Sequence, residues 1–216
     1  MKQFLSFARD LTLAIIVGAI TGGIILALLR FLGLVPTGFG RLVWFLPGLV
    51  PLIFIAGLML GHFLSRWWPV FQNFARFVVI GFNNAAIDFG ILNLLIFTTN
   101  ITQGFYFSVF KTVAFFAALI NSYIWNKYWT FEAGTSAGGT KEVTSFVIVV
   151  GISWLINVGI SSLLVNLIMP PGHIDPKLWA NIASALAVAI GLFWNFIGMR
   201  VLVFRQTKIH VPRSNI

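Results

Sequence analysis

The chain contains no cysteine. Disulfides, thiolate metal sites and nucleophilic thiols are therefore excluded. Acids are nearly as scarce, with five Asp and Glu against fourteen Lys and Arg in 216 residues. Charged residues make up only 9% of the chain, far below what a soluble domain needs to cover its surface. The three histidines, His62, His173 and His210, are scattered and lack metal-ligand spacing. No Ser-His-Asp set and no Gly-rich phosphate loop is visible. The apolar runs hold a single carboxylate rather than a pair, and the loops are too short for an active-site domain. Neither catalysis, a metal nor a cofactor is expected.

What is present is apolar. Hydrophobic residues make up 59% of the chain, and the mean hydropathy is +0.96. This composition predicts an all-α integral membrane protein. The first apolar run has full spanning length and no clear small-residue cleavage site, so it reads as a retained span. A net charge of +9 would suggest nucleic acid in a soluble protein, but here the basic residues flank apolar spans as topology anchors.

Six segments are long enough to cross a bilayer, near 11–33, 44–65, 77–97, 105–126, 144–168 and 179–199. With the N-terminus inside, Lys2, Arg9, Arg66, Arg76, Lys127, Lys141, Arg200, Arg205, Lys208 and Arg213 face the cytoplasm. Only Arg30, Arg41 and Lys177 fall outside. The positive-inside rule then places both termini in the cytoplasm of a multi-pass protein of the cell (inner) membrane. The domains expected are an N-terminal hairpin over 1–70, a four-helix unit over 71–206 and a basic tail over 207–216. Residues 133–140 (AGTSAGGT) read as a flexible linker. The hairpin carries Gly18 and Gly22, and Gly57 and Gly61, at the spacing of close helix packing. Glycine is also simply common in membrane helices, and that reading is preferred here.

The four-helix unit is duplicated. RFVVIGFNNAAIDFGILNLLI from Arg76 overlays SFVIVVGISWLINVGISSLLV from Ser145 without a gap. Phe77 falls on Phe146, Gly90 on Gly159, Ala114 on Ala183, Ala118 on Ala187, and Trp125-Asn126 on Trp194-Asn195. The repeats span about 76–131 and 145–204, as two parallel halves of two helices each. The charges are in one half only: Asp88 falls on Asn157, and Lys111 on Ala180.

Asp88 lies twelve residues after Arg76, about 18 Å along a helix. Lys111 lies on the returning helix, about 9 Å below the outer surface. Their depths agree, and a paired charge facing a bundle interior is tolerable where an isolated one is not. The two are expected to face each other. They either line a polar path for an anionic substrate or form a structural ion pair, unless the lysine snorkels outward. Asn83, Asn84, Asn93, Asn121, Asn157, Asn181 and Asn195 can each bond a phosphate oxygen, a sugar hydroxyl or a neighbouring helix, and helix bonding is the default for any one of them. Each half ends in an amide, a cation and an aromatic: Asn126, Lys127 and Trp129 in one, Asn195 and Arg200 in the other. Such groups suit a lipid phosphate with an indole beside the acyl chain, or serve as ordinary anchors in an aromatic belt.

The opening RFVVIGFNNAAIDFG, the close NKYWTF and the close FWNFIGMRVLVF, in this order and spacing, resemble the GtrA-like family of small four-helix membrane proteins. The likeness covers Arg76 to Phe204 and leaves the N-terminal hairpin outside. The end RVLVF departs from the pattern, in which an aromatic often precedes the final Val-Phe. The resemblance implies translocation of a polyprenyl-phosphate-linked sugar for cell-surface polysaccharide synthesis, with a polyprenyl-phosphate glycosyltransferase as partner. On that reading Lys127 and Arg200 receive the phosphate, Lys111 beside Asp88 offers the next station, and amides meet the sugar. Lys111→Met is then expected to abolish translocation without unfolding the protein. The alternatives are a non-transporting partner of the glycosyltransferase, or a small-solute or ion transporter coupled at Asp88. The chain could act alone or as a homo-oligomer.

Overall fold

In hydrocarbon no water bonds the backbone, so each N–H and C=O must be satisfied within its own segment, and long apolar runs become helices. The computed structural model describes residues 2–35, 40–125, 128–129 and 140–198. They form six long helices: α1 (Lys2–Phe31), α2 (Leu46–Leu64), α3 (Val70–Thr99), α4 (Gly104–Trp125), α5 (Thr140–Leu167) and α6 (Pro176–Gly198). A 3-10 turn at Leu42–Phe45 leads into α2. α1 to α5 are long and apolar enough to cross a membrane, and α6, with 23 residues, has the length of a span. The chain is an all-α membrane protein.

Two helices begin earlier than hydropathy suggests. α1 starts at Lys2 rather than near 11, and α3 at Val70 rather than near 77. The charges that interrupt the apolar runs, Asp10 and Arg76, neutralise each other inside the protein, so the helices continue through them.

α1 packs on α2, α3 on α4 and α5 on α6 as three successive hairpins. The first hairpin lies against α3, α4 lies against α5, and α3 meets α6 over a shorter stretch. α3 is therefore the helix that touches the most others. Asn100, in the left-handed region at φ 57°, ends α3 with its N–H on the Ile96 carbonyl. Trp67 and Trp68 lie exposed between α2 and α3, as residues of an interfacial belt do.

The apolar core is in two parts. Ala14, Val17, Phe54, Leu58, Val79, Ile80 and Trp129 pack where the first hairpin meets α3. Leu92, Ile96, Phe107, Ala114, Val165, Ala180 and Ala183 pack where the two duplicated hairpins meet. Around them Ile15, Leu52, Phe82, Phe97, Leu155 and Leu163 face outward, towards lipid. Equivalent positions of the repeat share environments: Ala114 and Ala183 are both buried, as are Ala118 and Ala187.

Three of the four hairpin glycines are there for packing, so their number is not merely a membrane-helix average. A Cβ on Gly18 would sit 2.5 Å from Pro51 Cα, and one on Gly22 would run into the Leu46 carbonyl of α2. One on Gly61 would meet Ala75 of α3, whereas Gly57 faces open space. Backbone cannot yield as a side-chain tip does, so these positions set how closely the helices approach. Gly22→Val should lower stability by about 2 kcal/mol, the scale of an overpacked core. Gly23→Val, with nothing near its Cβ, should leave it unchanged. Thermal unfolding of both variants in detergent checks the contrast.

Candidate functional site

α3 buries four polar side chains. Arg76, Asn83, Asp88 and Asn93 are all at least nine-tenths removed from the surface. They span seventeen residues, about 25 Å of helix, against a hydrocarbon core of about 30 Å. Each bonds to a neighbouring helix of the bundle.

At one end Arg76 pairs with Asp10 of α1, with Nη2 2.7 Å and Nε 3.1 Å from the same carboxylate oxygen, Oδ2. Its Nη1 donates to the Trp129 carbonyl at 3.2 Å. The Trp129 indole N–H closes the set on Asp10 Oδ1 at 2.9 Å. Two turns further along α3, Asn83 donates to Thr21 of α1 at 2.9 Å. Asn121 of α4 donates to Asn83 at 2.8 Å and to Asn84 at 2.6 Å, and accepts from Trp125 at 3.0 Å. Next, Lys111 of α4 donates to Asp88 Oδ2 as an ion pair, with its ammonium 5.6 Å over the Phe89 ring. Beyond it Asn93 and Asn181 of α6 exchange amide bonds of 2.7 and 2.8 Å.

The expected Asp88–Lys111 pair is thus formed. Lys111 is fully enclosed (0% exposed) and Asp88 nearly so (5%), so the lysine does not snorkel outward. A charge left alone at this depth is untenable, which is why these two side chains hold α3 and α4 together. Asn157, the repeat partner of Asp88, is buried on the inner face of α5, and its Oδ1 has no hydrogen-bond partner. The amide bonds of Asn83, Asn84, Asn93, Asn121 and Asn181 fit the default reading of helix-to-helix glue.

Two placements differ from the sequence reading. Arg76 is not an exposed cytoplasmic anchor: it is buried against Asp10, because its guanidinium reaches a carboxylate two helices away. Trp129 does not lie beside an acyl chain. It is 1% exposed, with its indole committed to Asp10, and its neighbour Tyr128 is the exposed ring. Asn126, Lys127, Arg200 and the side chain of Asn195 lie outside the described residues. Asp10 was missed, although in a chain with five acids any carboxylate beside an apolar run is a signal. Ser184 of α6, fully buried with its hydroxyl unpartnered, was missed as well. Serine in an apolar helix ordinarily bonds its own backbone, as Ser161 does to the Asn157 carbonyl, and gives no warning of a different role.

A groove of about 290 Å³ opens between α4 and α5, lined by Phe105, Ser108, Val109, Thr112, Trp154 and Val158 among others. Apart from two hydroxyls and the indole nitrogen its walls are apolar. Thr112 follows Lys111 directly, so the groove reaches the depth of the ion pair.

A duplicated helical bundle with a charged pair and an amide seam through its interior defines a membrane protein built to hold polar groups within the bilayer. The family described as "GtrA/DPMS, transmembrane domain" matches residues 76–204, more than half of the chain, and the chain belongs to that family. α1, α2 and the first turns of α3 precede the match. A Bacillus subtilis (strain 168) protein named "Uncharacterized membrane protein YngA" is 33% identical over 137 residues, covering 62% of this chain and 80% of the relative. No solved structure matches.

The Asp10–Arg76 link makes a measurable claim. Arg76→Met should cost about 3–5 kcal/mol by stranding a buried carboxylate. Asp10→Asn combined with Arg76→Met should recover most of that loss, because the two neutral side chains remove the stranded charge. A double-mutant cycle on unfolding in detergent reads the coupling.

Proposed function

We propose that the protein translocates a polyprenyl-phosphate-linked sugar across the cell membrane for surface polysaccharide synthesis. Membership of the GtrA/DPMS family associates the chain with the handling of such lipids. The observation that carries the reading is the polar seam of α3, which sets polar side chains over about 25 Å of an otherwise apolar bundle. The Asp88–Lys111 couple belongs to that seam, and intramembrane ionisable residues mark polar pathways by default. The groove between α4 and α5 suits the hydrocarbon tail at the same depth.

The excess of lysine and arginine supports the reading in which both termini are cytoplasmic, and on that reading the Asp10–Arg76 end faces inward. A polyprenyl-phosphate glycosyltransferase on that side would supply the substrate, and an acceptor outside would consume the sugar. The protein itself acts as a carrier, not as the enzyme that makes or cleaves the lipid.

A second reading rests on one observation: Lys111 is fully enclosed and most of the seam is internally satisfied. That favours a rigid, non-transporting partner that holds the glycosyltransferase in the membrane.

Lys111→Met alone is a poor test, because it strands Asp88 and compromises folding. Asp88→Asn combined with Lys111→Met removes both charges together. In proteoliposomes with labelled polyprenyl-phosphate-glucose, the double variant should melt close to the unaltered protein yet translocate at least about tenfold more slowly. Equal rates would remove the pair from the mechanism. Absence of translocation by the unaltered protein, with loss of glycosyltransferase activity on its deletion, would establish the partner reading.

A further inference from the structure

Among the described residues of the duplicated unit, three buried side-chain oxygens have no hydrogen-bond partner: Asp88 Oδ1 on α3, Asn157 Oδ1 on α5 and Ser184 Oγ on α6. They lie at one depth. Asn93 meets Asn181, and from that contact Asp88 lies five residues along α3 and Ser184 three residues along α6, both towards the Asp10 end. At 1.5 Å per residue those depths differ by about 3 Å. Ser108 of α4 meets Ser162 of α5, and from there Lys111 is three residues and Asn157 five residues in the same direction. Again the difference is about 3 Å. The Asp88–Lys111 pair joins the two registers into one layer. Ser184 shares the inward stripe of α6 with Ala180, Ala183 and Ala187, and Asn157 that of α5 with Ser153 and Ser161. Ser153 and Ser161 are turned onto their own helix carbonyls, which leaves Asn157 and Ser184 as the polar groups on offer.

The chemistry of this layer is selective. Two of the three oxygens can only accept hydrogen bonds, and the third can do either. A phosphodiester also only accepts, and it would bring its negative charge against the Asp88 carboxylate. A hydroxyl donates and accepts at once. It can give its proton to Asp88 Oδ1 or Asn157 Oδ1 while its oxygen takes an N–H from the Lys111 ammonium or the proton of Ser184. We infer that this layer is a binding site for the hydroxyls of the neutral sugar, and that the phosphate is held elsewhere. The inference rests on the translocation reading above and refines it: Lys111 is no phosphate station, because its charge is matched by Asp88 and the free positions around it are acceptors.

Asn157→Leu and Ser184→Ala are the test variants. Both remove unpartnered polar atoms, so neither should lower the melting temperature. Binding to the purified protein in nanodiscs is measured for three probes: a polyprenyl-phosphate-glucose, the same polyprenyl phosphate without sugar, and octyl glucoside. The unaltered protein should bind the glycosylated lipid more tightly than the bare phosphate. Each variant should weaken the glycosylated lipid and octyl glucoside by about tenfold, near the value of one buried hydrogen bond, and leave the bare polyprenyl phosphate unchanged. Equal loss for both lipids, no loss for either, or a preference for the bare phosphate would overturn the sugar site. Binding of octyl glucoside that depends on Asn157 and Ser184, with no binding of either polyprenyl lipid, would instead retain the hydroxyl site and overturn the translocation reading.

Discussion

A charge or amide in hydrocarbon must find a partner inside the protein, and on α3 that requirement organises the bundle. Arg76 reaches α1 through Asp10, Asn83 reaches α1 and α4, Asp88 reaches α4 through Lys111, and Asn93 reaches α6. Hydrophobic burial discriminates poorly between helix arrangements in lipid, since lipid tails are as apolar as leucine. Polar pairs do discriminate, because most alternative registers would leave several groups stranded. The glycines of the first hairpin add the second constraint, close backbone approach.

The duplication explains why the interior is asymmetric in charge yet regular in shape. Lys111 and Ala180 occupy equivalent, fully buried positions, one with an amine and the other with a methyl. Asp88 and Asn157 are likewise equivalent, and each presents an oxygen that no neighbour satisfies. One half holds an ion pair while the other holds neutral groups at the same depth. The layer at that depth is therefore polar without net charge, and such an environment suits an uncharged, hydroxyl-rich head better than an anion.

The N-terminal hairpin lies outside the family match, yet it is tied into the interior. Asp10 is bonded to both Arg76 and Trp129, which joins α1 to α3 and to the residues that follow α4. Trp129 packs with Ala14, Val17 and Phe54 of the hairpin. The hairpin is thus continuous with the duplicated unit through a charge pair and a shared core.

By itself the sequence determined the membrane class, the helix count, the repeat and the Asp88–Lys111 pairing. All of these follow from local composition, an offset of 69 residues and the depth of charges along helices. Helix ends were less legible, because hydropathy stops at Asp10 and Arg76 while the helices do not. Only the tertiary structure decided that Arg76 is buried, that Trp129 turns inward to Asp10, that Asn93 meets Asn181, and that Ser184 joins Asn157 at the depth of the ion pair. Those contacts join residues up to 119 positions apart. Their partners are set by how helices rotate and pack, and that information is absent from any one segment of the chain.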